Sequence, residues 1–300
     1  MDAAALTIAA GLDEGELRRH AAIMARLFAG RPLLVHGHHP HSRRAGDGIE
    51  FLDHRAYQPG DNLRDVDWLA TLRTGRTQVR RYRLEASSDW TLCLDCSASM
   101  GLPSAAKWRL ATQLTAALAY ILIHLGHRVR LALFADSVRG LTAFGRGHGG
   151  YMAIVRELDR NRPPDGGGDS VPGRCIPYIT GGGQAIVISD FLTDDAMHTD
   201  LARIAARTVH TRAIQVVDGD DCLVTGTGET TLFDIESGAE LVVTVDAAAA
   251  AAVGSRLDQH RAGLQRHCER HAIGYTRADV AQTWQQILLD GIVRPGTHDA

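Results

Sequence analysis

Two hydrophobic regimes divide the chain. Between residues 89 and 292 short apolar runs alternate with stretches of helical spacing, whereas residues 30–84 show no sustained period. The first segment to carry a signal is EGELRRHAAIMARLF (14–28). Its Leu17, Ala21, Met24, Ala25 and Phe28 recur at helical spacing and predict an amphipathic helix. Further on, WTLCLD (90–95), VRLALFA (129–135), AIVISD (185–190), HTRAIQVV (210–217) and IGYTRADV (273–280) read as strands. SVRGLTAF (137–144) reads as an antiparallel edge strand. Helices are predicted over 105–125, 152–160, 194–208, 246–272 and from 281 to about 292, and hairpin strands over 222–245. Apolar strands alternating with helices predict an α/β fold: a doubly wound, mostly parallel sheet with helices on both faces. Residues 1–88 are expected to form a helix plus a β-rich extension. Residues 89–300 are expected to form the α/β domain, with a hairpin insertion near 222–245.

Composition removes several alternatives. Of 300 residues, 45% are apolar and 22% charged, which suits a globular chain and not a disordered one. The 32 Lys and Arg against 35 Asp and Glu leave a net charge of −3, with no global pull toward nucleic acid or an anionic membrane. The longest apolar run, 116–123, falls well short of the ~20 residues that span a bilayer. MDAAALTIAAGLDEGE lacks a basic n-region, so no secretory signal is expected. Five scattered Cys argue against a disulfide framework. Together these features lead to the expectation of a cytoplasmic protein. Cys93 and Cys96 in CLDC are read as a buried strand thiol and a loop thiol.

In a doubly wound sheet, ligands gather outside the carboxyl ends of the strands, where the strand order reverses. Two runs end there in an acid. LCLDCSASM gives Asp95-x-Ser97-x-Ser99, and AIVISDF gives Ser189-Asp190. After a strand-end Asp, alternate hydroxyls can point the same way as the carboxylate. Oxygen-only ligands of this type suit Mg²⁺, or another divalent cation such as Mn²⁺ or Ca²⁺, with a position left for an outside group. The plainer alternative is a strand-end Asp followed by serines capping the next helix.

At these residues the chain resembles a von Willebrand factor A-type domain, and its DxSxS resembles the metal-ion-dependent adhesion site. The stretches GHHPHSRRAGDGIEF (37–51), HRAYQPGDNLRDVDW (54–68) and LRTGRTQVRRYRLE (72–85) narrow the likeness. Together with ISDF (188–191), Val217-Asp218 and the Leu232-Phe233-Asp234-x-Glu236-x-Gly238 run, they resemble the bacterial family called domain of unknown function 58, over roughly residues 30–280. The resemblance implies a non-enzymatic, metal-dependent interaction adaptor. It would work beside a MoxR-type AAA+ ATPase in the maturation or assembly of client proteins. Asp95, Ser97, Ser99 and Asp190 would hold the cation, and a client Asp or Glu would take the open position. The Thr ligand usual in this class is missing. The corresponding loop is GGGDS (166–170), so Asp169 or Ser170 would complete the set. Many relatives carry transmembrane helices before the matching region, and no such span is expected here. A metal-dependent hydrolase using the same strand-end site is the alternative.

Arg55, Tyr57, Asp61, Arg64, Asp67 and Trp68 form a dense charged and aromatic group. They are read either as an internal hydrogen-bonded network or as a partner-recognition surface. The sequence has no phosphate loop of G-x-x-x-x-G-K-[ST] type, no nucleophile elbow and no HExxH. The histidines of HGHHPHSRR (36–44) lack ligand spacing and read as a solvated loop.

Overall fold

A computed structural model describes residues 12–27, 49–57, 66–84, 89–164, 169–192, 196–222, 228–233 and 240–289. Two compact units emerge. One comprises Met1–His39 with Ser88–Ala300, and the other is Pro40–Ser87.

The larger unit is built on a six-stranded sheet. In chain order its strands are β3 (Asp89–Asp95), β4 (Arg128–Phe134), β5 (Val138–Leu141), β6 (Gln184–Ser189), β7 (His210–Val217) and β10 (Gly274–Asp279). Their spatial order is β10-β7-β6-β3-β4-β5. All neighbours are parallel except the edge strand β5, which runs antiparallel to β4. The central strands β3 and β6 are almost wholly buried because both faces of the sheet are covered, which is why their sequences are continuous apolar runs.

The helices are α1 (Glu14–Leu27), α3 (Ala106–His124), α4 (Gly147–Arg160), α5 (Ala196–Arg207), α6 (Ala247–Arg270) and α7 (Trp284–Ile287). One face of the sheet presents Trp90, Leu92 and Leu94 of β3 with Ile186 and Ile188 of β6, and packs on α1, α3, α4 and α7. The other presents Cys93, Ala185, Val187 and Ala213 against α5, α6 and the 3-10 turn Pro172–Tyr178. Helix α3 is buried around most of its circumference because α1, α4 and α7 surround it, so it reads as apolar on nearly every side. Strands β8 (Gly228–Phe233) and β9 (Glu240–Val245) form the separate hairpin expected near 222–245.

The N-terminal helix belongs with the sheet and not with the extension that follows it. Leu17, Ala21 and Met24 of α1 join the core that contains α3, and the Gln285 amide donates to Glu16 Oε2 at 2.8 Å. The extension expected over 1–88 is therefore confined to the Pro40–Ser87 unit. That unit contains β1 (Ile49–Ala56) paired antiparallel with β2 (Gln78–Leu84), and a helix the hydrophobic pattern did not predict, α2 (Trp68–Thr74). Local chemistry explains α2. Asp67 Oδ1 accepts from the Leu69 and Ala70 N–H groups, each at 3.0 Å, and Gly75 closes the helix at φ 65°.

Candidate metal centre

Parallel pairing places the ends of β3 and β6 side by side. Leu94 lies opposite Ile188, so Asp95 comes alongside Ser189. The two-residue side-chain period sends both toward the face that carries Cys93 and Val187. Because β3 leads on to β4 on one side while β6 leads on to β7 on the other, this is where the strand order reverses.

Six side chains meet there. Asp95 is fully buried. Its Oδ1 accepts from the Ser97 N–H at 2.8 Å, and its Oδ2 accepts from Ser170 Oγ at 2.5 Å and Ser189 Oγ at 2.6 Å. The Ser97 and Ser99 hydroxyl oxygens lie 3.1 Å apart. Ser97, Ser170, Ser189 and Asp190 are also buried, and Ser99 is half-buried, so the group meets solvent at Ser99.

Ser170, and not Asp169, reaches Asp95. Ser170 is buried on the carboxylate while Asp169 is exposed. Of the two replacements considered for the missing Thr, the hydroxyl is the one that joins the site. Ser189 was legible only through strand parity, since an isolated Ser before an Asp carries no pattern of its own.

Asp190 is fixed from several directions. Its Oδ1 accepts from the Leu192 N–H at 3.2 Å, and its carbonyl accepts from Gln215 Nε2 at 3.0 Å. Tyr275 in turn donates to Gln215 Oε1 at 2.6 Å. The next residue, Phe191, adopts a left-handed φ of 54°, rare outside glycine. Its N–H donates to Ser189 Oγ at 2.9 Å, and the His260 ring Nε2–H donates to its carbonyl at 2.6 Å.

One participant has no motif to announce it. Lys107, in the first turn of α3, is 1% exposed; its ammonium donates to Asp190 Oδ2 at 3.0 Å and to Asp221 Oδ1 at 2.9 Å. Asp221 Oδ2 accepts from the Asp218 N–H at 3.0 Å in the turn after β7. Burial opposes the lysine's charge, but the Asp190 and Asp221 carboxylates outweigh it and raise the Lys107 pKa. Among the described residues no cation pairs with Asp95. Burial first, and the Asp190 charge second, push its carboxyl up to about 6 against the hydrogen bonds from Ser170, Ser189 and Ser97.

The donor set suits a hard divalent cation. Octahedral oxygens at ~2.1 Å from Mg²⁺ lie about 3 Å apart along each edge, so the Ser97 and Ser99 hydroxyls, hydrogen-bonded to each other at 3.1 Å, are close enough to share an ion. Charge agrees as well. The acids Asp95, Asp190, Asp218 and Asp221 outnumber Lys107 in this region, and a divalent ion would offset such an excess. Among the described residues no cluster of three or more His, Cys, Asp or Glu side chains converges as a metal site, so a cation here would depend on the hydroxyls. Nearby thiols take no visible part: Cys96 is buried and its pKa is pushed up to about 12, by burial and then by Asp95.

The second group of candidate residues separates. Asp61 and Arg64 lie outside the described residues, as do the side chain of Arg55 and the 36–44 histidines. Tyr57 is half-buried, and its N–H donates to the Thr77 carbonyl at 2.8 Å. Asp67 serves as the α2 cap, and its Oδ2 lies 2.9 Å from His54 Nε2. Trp68 is 64% exposed, beside Leu69 and Leu72 at 73% and 82%.

Comparison with known proteins follows the same residues. The model of a family described as protein of unknown function DUF58 matches residues 53–263. The chain belongs to this family. It is 29% identical over 228 residues to uncharacterized proteins of Mycobacterium bovis and Mycobacterium tuberculosis, covering 74% of this chain and 71% of theirs. Two solved structures are similar at low level. The conserved hypothetical protein BatB of Bacteroides thetaiotaomicron gives a TM-score of 0.39 at 16% identity, covering 64% of this chain and 90% of that one. An aerotolerance-related membrane protein of Bacteroides fragilis, with multiple mutations to serines, gives 0.41 at 14%, covering 70% and 100%.

The expectation of a cytoplasmic protein is corrected here. It rested on the lack of an apolar span, of a secretory signal and of a disulfide framework, and such absences fix no compartment; one of the similar structures is itself described as a membrane protein. Among the described residues of the DUF58 chain no helix is long and apolar enough to cross a membrane, which fixes no compartment.

Proposed function

We propose that this DUF58 protein is a non-enzymatic, cation-dependent interaction module of von Willebrand factor A type. In this reading it works with a MoxR-type AAA+ ATPase on client proteins. The observation that carries it is the convergence of Asp95, Ser97, Ser99 and Ser170 at the reversal of strand order, with Asp190 near enough to raise the Asp95 pKa. Ser97 and Ser99 would hold a divalent cation directly, with Asp95 and Asp190 supplying the charge. The bound ion supplies a positive, Lewis-acidic point that attracts a carboxylate oxygen.

The chain's own residues do the rest. Ser170 and Ser189 orient Asp95. Gln215, Leu192 and Lys107 fix Asp190. Exposure at Ser99 supplies the entry for a client Asp or Glu. The exposed Trp68, Leu69 and Leu72 of α2 form the second surface in this reading, since an apolar cluster in water marks a contact site.

The test is co-purification from cells that co-express a MoxR-type ATPase, with Mg²⁺ or with EDTA. Capture of the client in Mg²⁺ is expected to fall at least tenfold in EDTA and in Asp95→Asn, with the fold retained. Capture that is equal in both media, or undiminished in the variant, would contradict the cation-bridge reading.

A further inference from the structure

Lys107 is out of place by ordinary rules. A cation in the first turn of a helix faces the positive end of the helix dipole, and a buried ammonium is costly without partners. Here it is 1% exposed, among the buried positions of α3. It spans two carboxylates from separate segments, Asp190 after β6 and Asp221 after β7. The oxygen it occupies, Asp190 Oδ2, belongs to one of the two acids of the candidate metal centre, while Oδ1 accepts from the Leu192 N–H.

We infer that Lys107 is a built-in competitor for Asp190 that keeps the affinity of the site for a divalent cation low, with Asp221 drawing the ammonium partly away. This deepens the cation reading above and rests on it. With one Asp190 oxygen held by Lys107, Asp95, whose partners are neutral hydroxyls and an N–H, is the acid whose charge is left for an ion at Ser97 and Ser99. Such an ion keeps positive charge for an outside carboxylate and exchanges readily. A purely structural lysine would act with the opposite sign, since its removal would loosen the site and weaken cation binding.

Calorimetric titration of the full chain with Mg²⁺ and Mn²⁺ separates the two. Lys107→Met is expected to lower the Mg²⁺ Kd at least tenfold. Asp221→Asn is expected to raise it several-fold, because the ammonium then rests on Asp190 alone. Lys107→Met leaves two buried carboxylates unpaired and can fail to fold, so the Lys107→Met/Asp221→Asn double variant carries the same test. It has the cluster charge of the wild type, and is still expected to bind at least threefold more tightly.

Unchanged or weaker binding in Lys107→Met would overturn the inference, as would a double variant that matches the wild type. In either case cation binding by the wild type leaves the proposed function standing. A wild type that binds no cation at millimolar concentration would overturn both.

Discussion

Asp95→Asn is expected to abolish the rise in Tm that Mg²⁺ gives the wild type, and in chelator at pH 8 to leave the protein more stable than the wild type. Both effects come from one buried charge. The Asp95 carboxyl is pushed up from 3.8 to about 6, by burial and then by Asp190. An acid whose folded pKa is raised holds its proton more tightly in the folded state than in the unfolded chain. Its contribution to stability is complete below about pH 4 and is lost as pH rises through about 6. The wild type in chelator should therefore lose stability between pH 4 and 6, on the order of 1–3 kcal/mol from this group.

Asn keeps the shape without the charge and escapes that loss, and Ser170 and Ser189 can turn their hydroxyls to accept from its amide. With Mg²⁺ at a hundred times its Kd, the wild type gains about 2.7 kcal/mol, a Tm rise of roughly 5–10 °C for a domain of this size. Scanning calorimetry across pH, with and without Mg²⁺, measures both. A Mg²⁺ shift that survives in Asp95→Asn would remove Asp95 from the site.

The second large effect lies far from the site. Leu17→Asp in α1 is expected to destabilise the α/β unit by about 4 kcal/mol or more, because the residue is 2% exposed in the core shared with α3. The substitution removes apolar burial, leaves a void and places a carboxylate where it has no partner. Glu14, three residues earlier, is on the solvent side of the same helix and pairs with Arg18 at 2.9 Å. Glu14→Ala should change stability by no more than about 0.5 kcal/mol. Urea unfolding followed by circular dichroism distinguishes the outcomes. Equal midpoints for Leu17→Asp and the wild type would detach α1 from the sheet unit and restore a boundary near residue 88.

What was legible followed from burial on both faces. β3, β4, β6 and β7 are covered on each side, so their apolar runs stand out, and the acids that end β3 and follow β6 mark the site. Helix α1 was visible from its stripe, but its partner was not, because a stripe reports that a face is buried and not what buries it. Helix α2 buries no side chain and so has no stripe; only the Asp67 cap and Gly75 signal it. Ser170 over Asp169, and the Lys107 link to Asp221, depend on chain paths that bring together residues 75 and 114 positions apart. No local spacing encodes such contacts.

The most direct measurement is anomalous diffraction from crystals grown with Mn²⁺. A manganese peak is expected within bonding distance of Ser97 Oγ and Ser99 Oγ, lost in Asp95→Asn. Manganese bound elsewhere at saturating concentration, with no peak between those two hydroxyls, would contradict the metal assignment.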